Sequence, residues 1–378
     1  MPLEVVYFDI PYMDNYADFT VDQVNFKGLP EFTAQLKQNN QKLVVIVDAA
    51  ISADDTTNKY YVMGNTSKAF IQSGIAQPGQ NGRNPDFGMN LISQVWPQKS
   101  VFMDWFGQPA VDLWSTGLDD LYQLVNYDGL WLDMSEATSF QNGETDTGLP
   151  TPKAEQHKVS RQLSEGLTNG WFVSYQSQSY ADTYNVPFLV LGSTPQFAGN
   201  WDNMTLSLNA THPSLNNELE YNVHSLYGHM MARRTQEYLH QKNDYRQFLL
   251  TRSTFASSGR YTSHWLGDNW RDWAYLRHSI SGIMNMNMFG IPHVGADVCG
   301  FFGEKKDDEM CLRWIQLSTF YTMARAHQNL TWNDQPSERT EPYFLDTDYR
   351  NQAREALYDR YSYLRMMYTC LFEANQMA

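Results

Sequence analysis

Residues 43–51 read LVVIVDAAI. Five aliphatic residues, Leu43–Val47, run without interruption into Asp48 and continue through Ala49–Ile51. A strand apolar on both faces belongs to a parallel sheet covered on both sides; a half-solvated antiparallel strand alternates. Upstream, Leu3–Asp9 (LEVVYFD) is another β-rich run that ends in an acid. Between the two, Phe26–Gln38 sets Phe26, Leu29, Phe32 and Leu36 at helical spacing. Strand, helix and strand in this order predict a βαβ unit.

The pattern returns downstream. Gly129–Met134 (GLWLDM) predicts a strand ending near Asp133, and His224–His240 predicts a helix before a strand at Phe248–Thr254. Tyr261–Asp268 and Ile291–Val298 predict strands that reach Asp268 and Asp297. Met310–Phe320 reads as a helix, Tyr321–His327 as a short strand, and Ala353–Ala374 as a closing helix. Seven strands, several with an acid at the C-terminal end, predict an α/β fold of the (β/α)8 TIM-barrel kind, whose active sites lie at that face. Two stretches break the rhythm: Asp54–Trp96, rich in Gly, Asn, Gln and Pro, and the polar Gln141–Asn222. Both are expected to be loop insertions (54–96 and 141–222) on the active-site face of one catalytic barrel spanning 1–378.

Composition excludes several functions. The chain has 378 residues, with 27 Lys and Arg against 42 Asp and Glu, a net charge of −15. That balance opposes a phosphate-tracking nucleic-acid binder and an anionic-membrane binder. The apolar share is 42% and the aromatic share 14%, enough for a large core and too much for wholesale disorder. The longest strongly apolar stretch is Leu43–Val47, so no membrane span is expected. The chain opens Met1-Pro2-Leu3-Glu4 with neither a basic nor a hydrophobic leader region, so no signal peptide is expected within it. The three cysteines, Cys299, Cys311 and Cys370, lack zinc-site spacing. Cys299 and Cys311 flank a charged loop, Gly303–Glu309, where a disulfide and two free thiols are equally open. Walker A, G-x-G-x-x-G, G-x-S-x-G and H-E-x-x-H patterns are all absent, so neither a metal nor an organic cofactor is expected.

Carboxylates remain. A glycosidase needs two flanking one bond, one ionised and one protonated. Asp133 and Asp268 are the best-placed pair, each at a strand end and near a tryptophan, Trp131 and Trp265. One intervening strand would let both reach the same pocket, since neighbouring strands lie about 4.8 Å apart. A separation of roughly 5–5.5 Å means retention of anomeric configuration; roughly 6.5–9.5 Å means inversion. The ordinary reading of any single strand-end Asp is a loop or helix cap. Five on one face, Asp9, Asp48, Asp133, Asp268 and Asp297, weaken that reading.

Longer motifs narrow the class. Asp128–Phe140 (DGLWLDMSEATSF) resembles the nucleophile signature of glycoside hydrolase family 31, usually close to D-G-[LM]-W-[IL]-D-M-N-E-P-S-x-F. Arg252–Asn269 (RSTFASSGRYTSHWLGDN) is similar to that family's second signature, which ends in the acid/base. Val294–Phe301 (VGADVCGF), Cys311–Tyr321 and Val47–Ser52 (VDAAIS) add matches in the same order along nearly the whole chain. The wording W-L-D-M and H-W-L-G-D-N lies nearest the lysosomal and intestinal maltase branch.

The resemblance implies a retaining exo-acting α-glucosidase for α-1,4-linked glucose, with Asp133 as nucleophile and Asp268 as acid/base. It implies that Asp48, Arg252, Asp297 and His327 hold sugar hydroxyls. Trp96, Trp131, Met134, Trp265 and Phe301 would wall the pocket, and Glu136 would support it. Maltose, malto-oligosaccharides and starch or glycogen ends are the implied partners, within a secreted or lysosomal parent. Members often carry a disulfide matching Cys299–Cys311. Ser135, Ala137 and Thr138 depart from the usual Asn, Pro and Ser, and Ala326 replaces the usual Asn before His327. The family's barrel has a further first strand and helix, a preceding β-sandwich and following β-domains. The chain therefore reads as a partial barrel from a larger enzyme. A truncated, non-catalytic sugar-binding derivative, an α-xylosidase and an α-1,4-glucan lyase are the competing readings.

Overall fold

A computed structural model describes residues 3–74, 85–141, 143–145, 204–242, 247–332 and 335–377. Residues 75–84 and 146–203, within the two expected insertions, lie outside it.

Six parallel strands form the central sheet: β1 (Val5–Phe8), β2 (Lys42–Val47), β6 (Gly129–Leu132), β9 (Phe248–Thr251), β10 (Ser263–Trp265) and β11 (Val294–Gly295). They neighbour one another in chain order, curled as a half-barrel with helices packed on it. Register follows the apolar run that opened the sequence. Val44, Val45, Ile46 and Val47 pair with Gly129, Leu130, Trp131 and Leu132. Leu43–Val47 are all buried, as a strand covered on both faces must be.

The outer layer is helical: α1 (Leu29–Gln38), α2 (Lys59–Ser67), α3 (Gln108–Val125), α4 (Tyr227–Lys242), α5 (Trp273–Met288), α6 (Asp308–Ser318) and α7 (Thr347–Met377). Their starts follow from local chemistry. Pro30 and Pro109 stand in the first turns of α1 and α3, where a missing N–H costs nothing. The Asp272 and Asp307 side chains cap α5 and α6 through the N–H groups of Tyr275 and Met310. Buried Leu113, Trp114, Leu118, Leu121 and Val125 give α3 its inward stripe. Gly117 on that stripe admits the Phe19 ring: a Cβ there would lie 2.4 Å from it.

Several expectations change. The run 43–51 is not one strand. It breaks after Val47, and Ala50–Ser52 (β3) pairs antiparallel with Gln98–Phe102 (β5), which also pairs with Ser93–Val95 (β4). The first expected insertion contains α2 and β4, and β3 and β5 flank it. In the second, Thr211–His212 (β7) and Glu218–Leu219 (β8) pair antiparallel. The helices α3 and α5 were not expected; α3 carries a clear apolar stripe, whereas α5 buries only Ser279 completely. The expected strand at Tyr321–His327 is only a parallel bridge between Asp297 and Arg325. Met323 N–H donates to the Val294 carbonyl at 3.2 Å, and Val298 N–H to the Arg325 carbonyl at 3.0 Å. Gly295 lets the Met323 carbonyl approach closely, since a Cβ would meet it at 1.8 Å.

Trp105, Trp114, Trp131, Trp265 and Trp314 are fully buried. Cys299 and Cys311 form a disulfide, with Cα atoms 4.6 Å apart, beside buried Trp314 and Ile315. No described helix is long and apolar enough to cross a membrane.

Candidate active site

Each of the six strands of the sheet delivers a charged side chain just past its C-terminal end: Asp9, Asp48, Asp133, Arg252, Asp268 and Asp297 in sheet order. Parallel strands place such ends on one rim. Asp133 follows β6 and Asp268 follows β10, so β9 lies between them, and β9 carries Arg252.

Arg252 organises the centre. Its Nη2 stands 3.4 Å from Asp133 Oδ1 and its Nη1 3.5 Å from Asp268 Oδ2. Both carboxylates therefore touch one guanidinium. The same group gives Nε to Glu136 Oε1 at 2.9 Å and Nη2 to Glu136 Oε2 at 3.3 Å. Its carbon lies 5.5 Å from the Trp265 ring centre, and Nη2 is 3.9 Å from Met134 Sδ.

Environment separates the carboxylates. Burial pushes Asp268 up to about 8; the Arg252 charge opposes this and Asp133 adds to it. Burial also raises Asp133, again against Arg252, while Glu136 raises it further. Burial would raise Glu136 too, but the charge and hydrogen bonds of Arg252 hold it below its usual range. Of the three carboxylates around this cation, Asp268 is pushed high enough to keep a proton near neutrality.

Other predicted residues gather around this centre. Trp131 meets Trp265 edge to face at 5.4 Å and His327 at 5.2 Å. Phe301 packs on His327 at 4.8 Å. His327 Nε2 lies 3.9 Å from Asp9 Oδ2, and burial holds His327 well below its usual range, so this is a contact of a neutral ring. Burial pushes the Asp48 carboxylate well above its usual range; the nearby acids Asp18, Asp133 and Asp9 add to this and Arg252 opposes it. Neither Asp48 oxygen has a hydrogen-bond partner among the described residues, nor do Asp297 Oδ2, Trp131 Nε1 and Trp265 Nε1. Trp96 stands in a separate aromatic group, 6.1 Å from Tyr16 and 5.1 Å from Phe140, and is 41% exposed.

The departures from the family wording have local partners. Ser135 shares a hydrogen bond with Thr251 of β9 at 2.9 Å, and the Thr138 hydroxyl donates to Glu136 at 3.0 Å. Ala137 has φ +56, an angle that a proline ring forbids.

Two residues escaped the sequence reading of the site. Asp9 was visible as a strand-end acid but was not included; burial pushes it up to about 6. Arg325 is 6% exposed and pairs with Asp297 at 3.3 Å. Its signal was a lone cation inside the short run YTMARAH.

Comparison with known proteins settles the family. Residues 1–370 match the model described as the glycosyl hydrolases family 31 TIM-barrel domain. The chain belongs to glycosyl hydrolase family 31. It is 35% identical to an alpha-glucosidase of Mucor javanicus, over 100% of this chain and 42% of that one. It is 34% identical to human intestinal sucrase-isomaltase, over 99% and 18%, and 32% identical to the lysosomal alpha-glucosidase of Bos taurus, over 99% and 34%. Among solved structures, a DNJ-bound glucosidase II alpha subunit superposes with a TM-score of 0.72 at 27% identity, covering 99% of this chain and 32% of that one. The chain thus spans less than half the length of the family 31 relatives it matches.

Proposed function

We propose that this family 31 barrel is the catalytic part of a retaining exo-acting α-glucosidase. It releases glucose from the non-reducing ends of α-1,4-linked chains. The observation that carries the reading is the pair Asp133 and Asp268, from alternate strands, meeting one Arg252 guanidinium.

The chemistry follows from the electrostatics. Asp268, protonated near neutrality, gives its proton to the departing glycosidic oxygen. Asp133, held beside Arg252, attacks the anomeric carbon and forms a glycosyl ester. Asp268, now ionised, takes a proton from water, and the hydroxide oxygen displaces Asp133 from the sugar. Two inversions give net retention. A neutral sugar offers no charge to grip, so short polar groups must take its hydroxyls while rings cover its apolar face. Asp48, Asp297 and His327, with Asp9, suit the first task; Trp131, Trp265 and Phe301 suit the second.

The names of the relatives, sucrase-isomaltase and lysosomal alpha-glucosidase among them, support maltose, malto-oligosaccharides and starch or glycogen ends as substrates. The same names and the Cys299–Cys311 disulfide support a secreted or lysosomal parent. The test is turnover of 4-nitrophenyl α-glucoside and maltose by wild type, Asp133→Ala and Asp268→Ala. Release of free glucose, lost in Asp133→Ala, is expected. An unsaturated sugar product would mean a lyase, and wild-type rates in either variant would end the assignment.

A further inference from the structure

Arg325 has no part in the chemistry above, yet its setting is demanding. A buried cation is costly unless its surroundings answer it. Here the guanidinium carbon stands 4.5 Å from the Trp131 ring centre, 5.0 Å from Tyr7 and 5.2 Å from Trp265. Ring faces attract a desolvated cation. Nη2 reaches Asp297 Oδ1 at 3.3 Å, whereas Nε and Nη1 have no partner among the described residues.

Strand geometry gives the depth of this site. Tyr7 and Trp131 precede Asp9 and Asp133 by two positions on β1 and β6. Residues two apart share a strand face, so Arg325 packs one layer deeper in the half-barrel than the carboxylates. Its charge nevertheless acts on Asp9, Asp133, Asp268 and Asp297, lowering each, and on the neutral His327, lowering it too. Facing it are Tyr7 and Asp9 from β1, Trp131 and Asp133 from β6, Trp265 and Asp268 from β10, and Asp297 after β11. Arg252 from β9 is the other cation of the cluster.

Asp297 is held on two sides. Asn269 fixes its backbone: Oδ1 accepts the Asp297 N–H at 3.1 Å, and Nδ2 donates to the Asp297 carbonyl at 3.0 Å. Arg325 takes one carboxylate oxygen, which leaves Oδ2 free of protein partners among the described residues.

We propose that Arg325 is a positioning residue: it fixes the Asp297 carboxylate for a sugar hydroxyl and, clasped by Tyr7, Trp131 and Trp265, supplies the second positive charge of the carboxylate cluster. The inference rests on the α-glucosidase reading. Arg325 touches no substrate; it acts through Asp297 and through its field.

The test compares wild type, Arg325→Gln and Arg325→Lys in 4-nitrophenyl α-glucoside kinetics from acid to alkaline pH, with circular dichroism to establish folding. Removing the cation raises the pKa of the carboxylates it had lowered. Both limbs of the kcat/KM profile of Arg325→Gln therefore move to higher pH, by about one unit. KM also rises about tenfold as Asp297 loses its orientation. Arg325→Lys keeps the charge but not the flat fork, so its limbs stay near wild type while KM rises. Folded variants with wild-type KM and unmoved limbs would overturn the inference and leave the enzyme reading standing. If Arg325→Gln does not fold, the KM of Arg325→Lys decides: a rise supports the inference and a wild-type value overturns it. A wild-type chain without turnover overturns both readings.

Discussion

Arg252 and Glu136 form a two-point pair, Nε to Oε1 at 2.9 Å and Nη2 to Oε2 at 3.3 Å. This fork-on-carboxylate geometry fixes the guanidinium plane. Its remaining edge then faces Asp133 and Asp268. Glu136 therefore sets where the shared cation sits between the two catalytic candidates.

Glu136→Gln should loosen that pair without unfolding the barrel. Misplacing Arg252 should lower kcat/KM by about 10–100-fold. Steady-state kinetics check this; a wild-type kcat/KM in the folded variant would refute the arrangement.

Asp268→Ala should discriminate between leaving groups. Maltose needs a proton on its departing oxygen, whereas glucosyl fluoride does not. The expected loss is about 10²–10⁴-fold on maltose and much less on the fluoride. Equal losses on both substrates would remove Asp268 from the acid role.

Gly267 allows its neighbours to close around Asp268. A Cβ at this position would lie 2.2 Å from Trp265 Nε1 and 2.3 Å from Asp297 Oδ2. Trp265 and Asp297 are both fully buried and have little room to give. Gly267→Ala should displace Asp268 and lower kcat/KM about 100-fold, with a near-wild-type circular dichroism spectrum. Wild-type activity would mean that the pocket tolerates the shift.

Stability should carry a pH signature from a buried cluster next to α3. His212 Nδ1 pairs with Asp104 at 3.1 Å and its Nε2 with Glu220 at 2.7 Å, all three fully buried. Burial opposes the charged ring, but the two carboxylates push His212 up to about 9. A raised histidine contributes stability that is complete below about 6.5 and is lost as pH rises through about 9. Burial likewise opposes Asp104 and Glu220, but hydrogen bonds to His212 and its charge hold both below their usual range. Their contribution is present above about 4 and is lost as pH falls further. His212→Asn should cost about 3–5 kcal/mol at neutral pH, read by denaturant unfolding, and should abolish the decline in Tm between pH 6.5 and 9. A Tm slope identical to wild type would show the ring to be neutral.

The parallel sheet was legible because burial on both faces leaves continuous apolar runs such as Leu43–Val47. The rim acids were legible because a parallel sheet sends every strand end to one side. Three things were not. The break at Asp48 left no mark, since Ala49–Ile51 are as buried as the strand before them and differ only in pairing partner. Helix α5 interleaves polar residues with its apolar positions; it buries only Ser279 completely and leaves Met284 and Met288 exposed, so its periodicity is faint. The role of Arg325 depends on three rings from three separate strands, which no local window contains.

The central claim is that Asp133 forms a bond to the sugar. Reaction with 5-fluoro-α-glucosyl fluoride, followed by peptide mass spectrometry, reads that bond directly: the ring fluorine slows both steps, and the anomeric fluoride, a good leaving group, keeps ester formation faster than its hydrolysis. The account predicts one fluoroglucosyl adduct, on Asp133 within the peptide that contains Asp128–Phe140. An adduct on any other carboxylate, or turnover with no trapped ester, would contradict it.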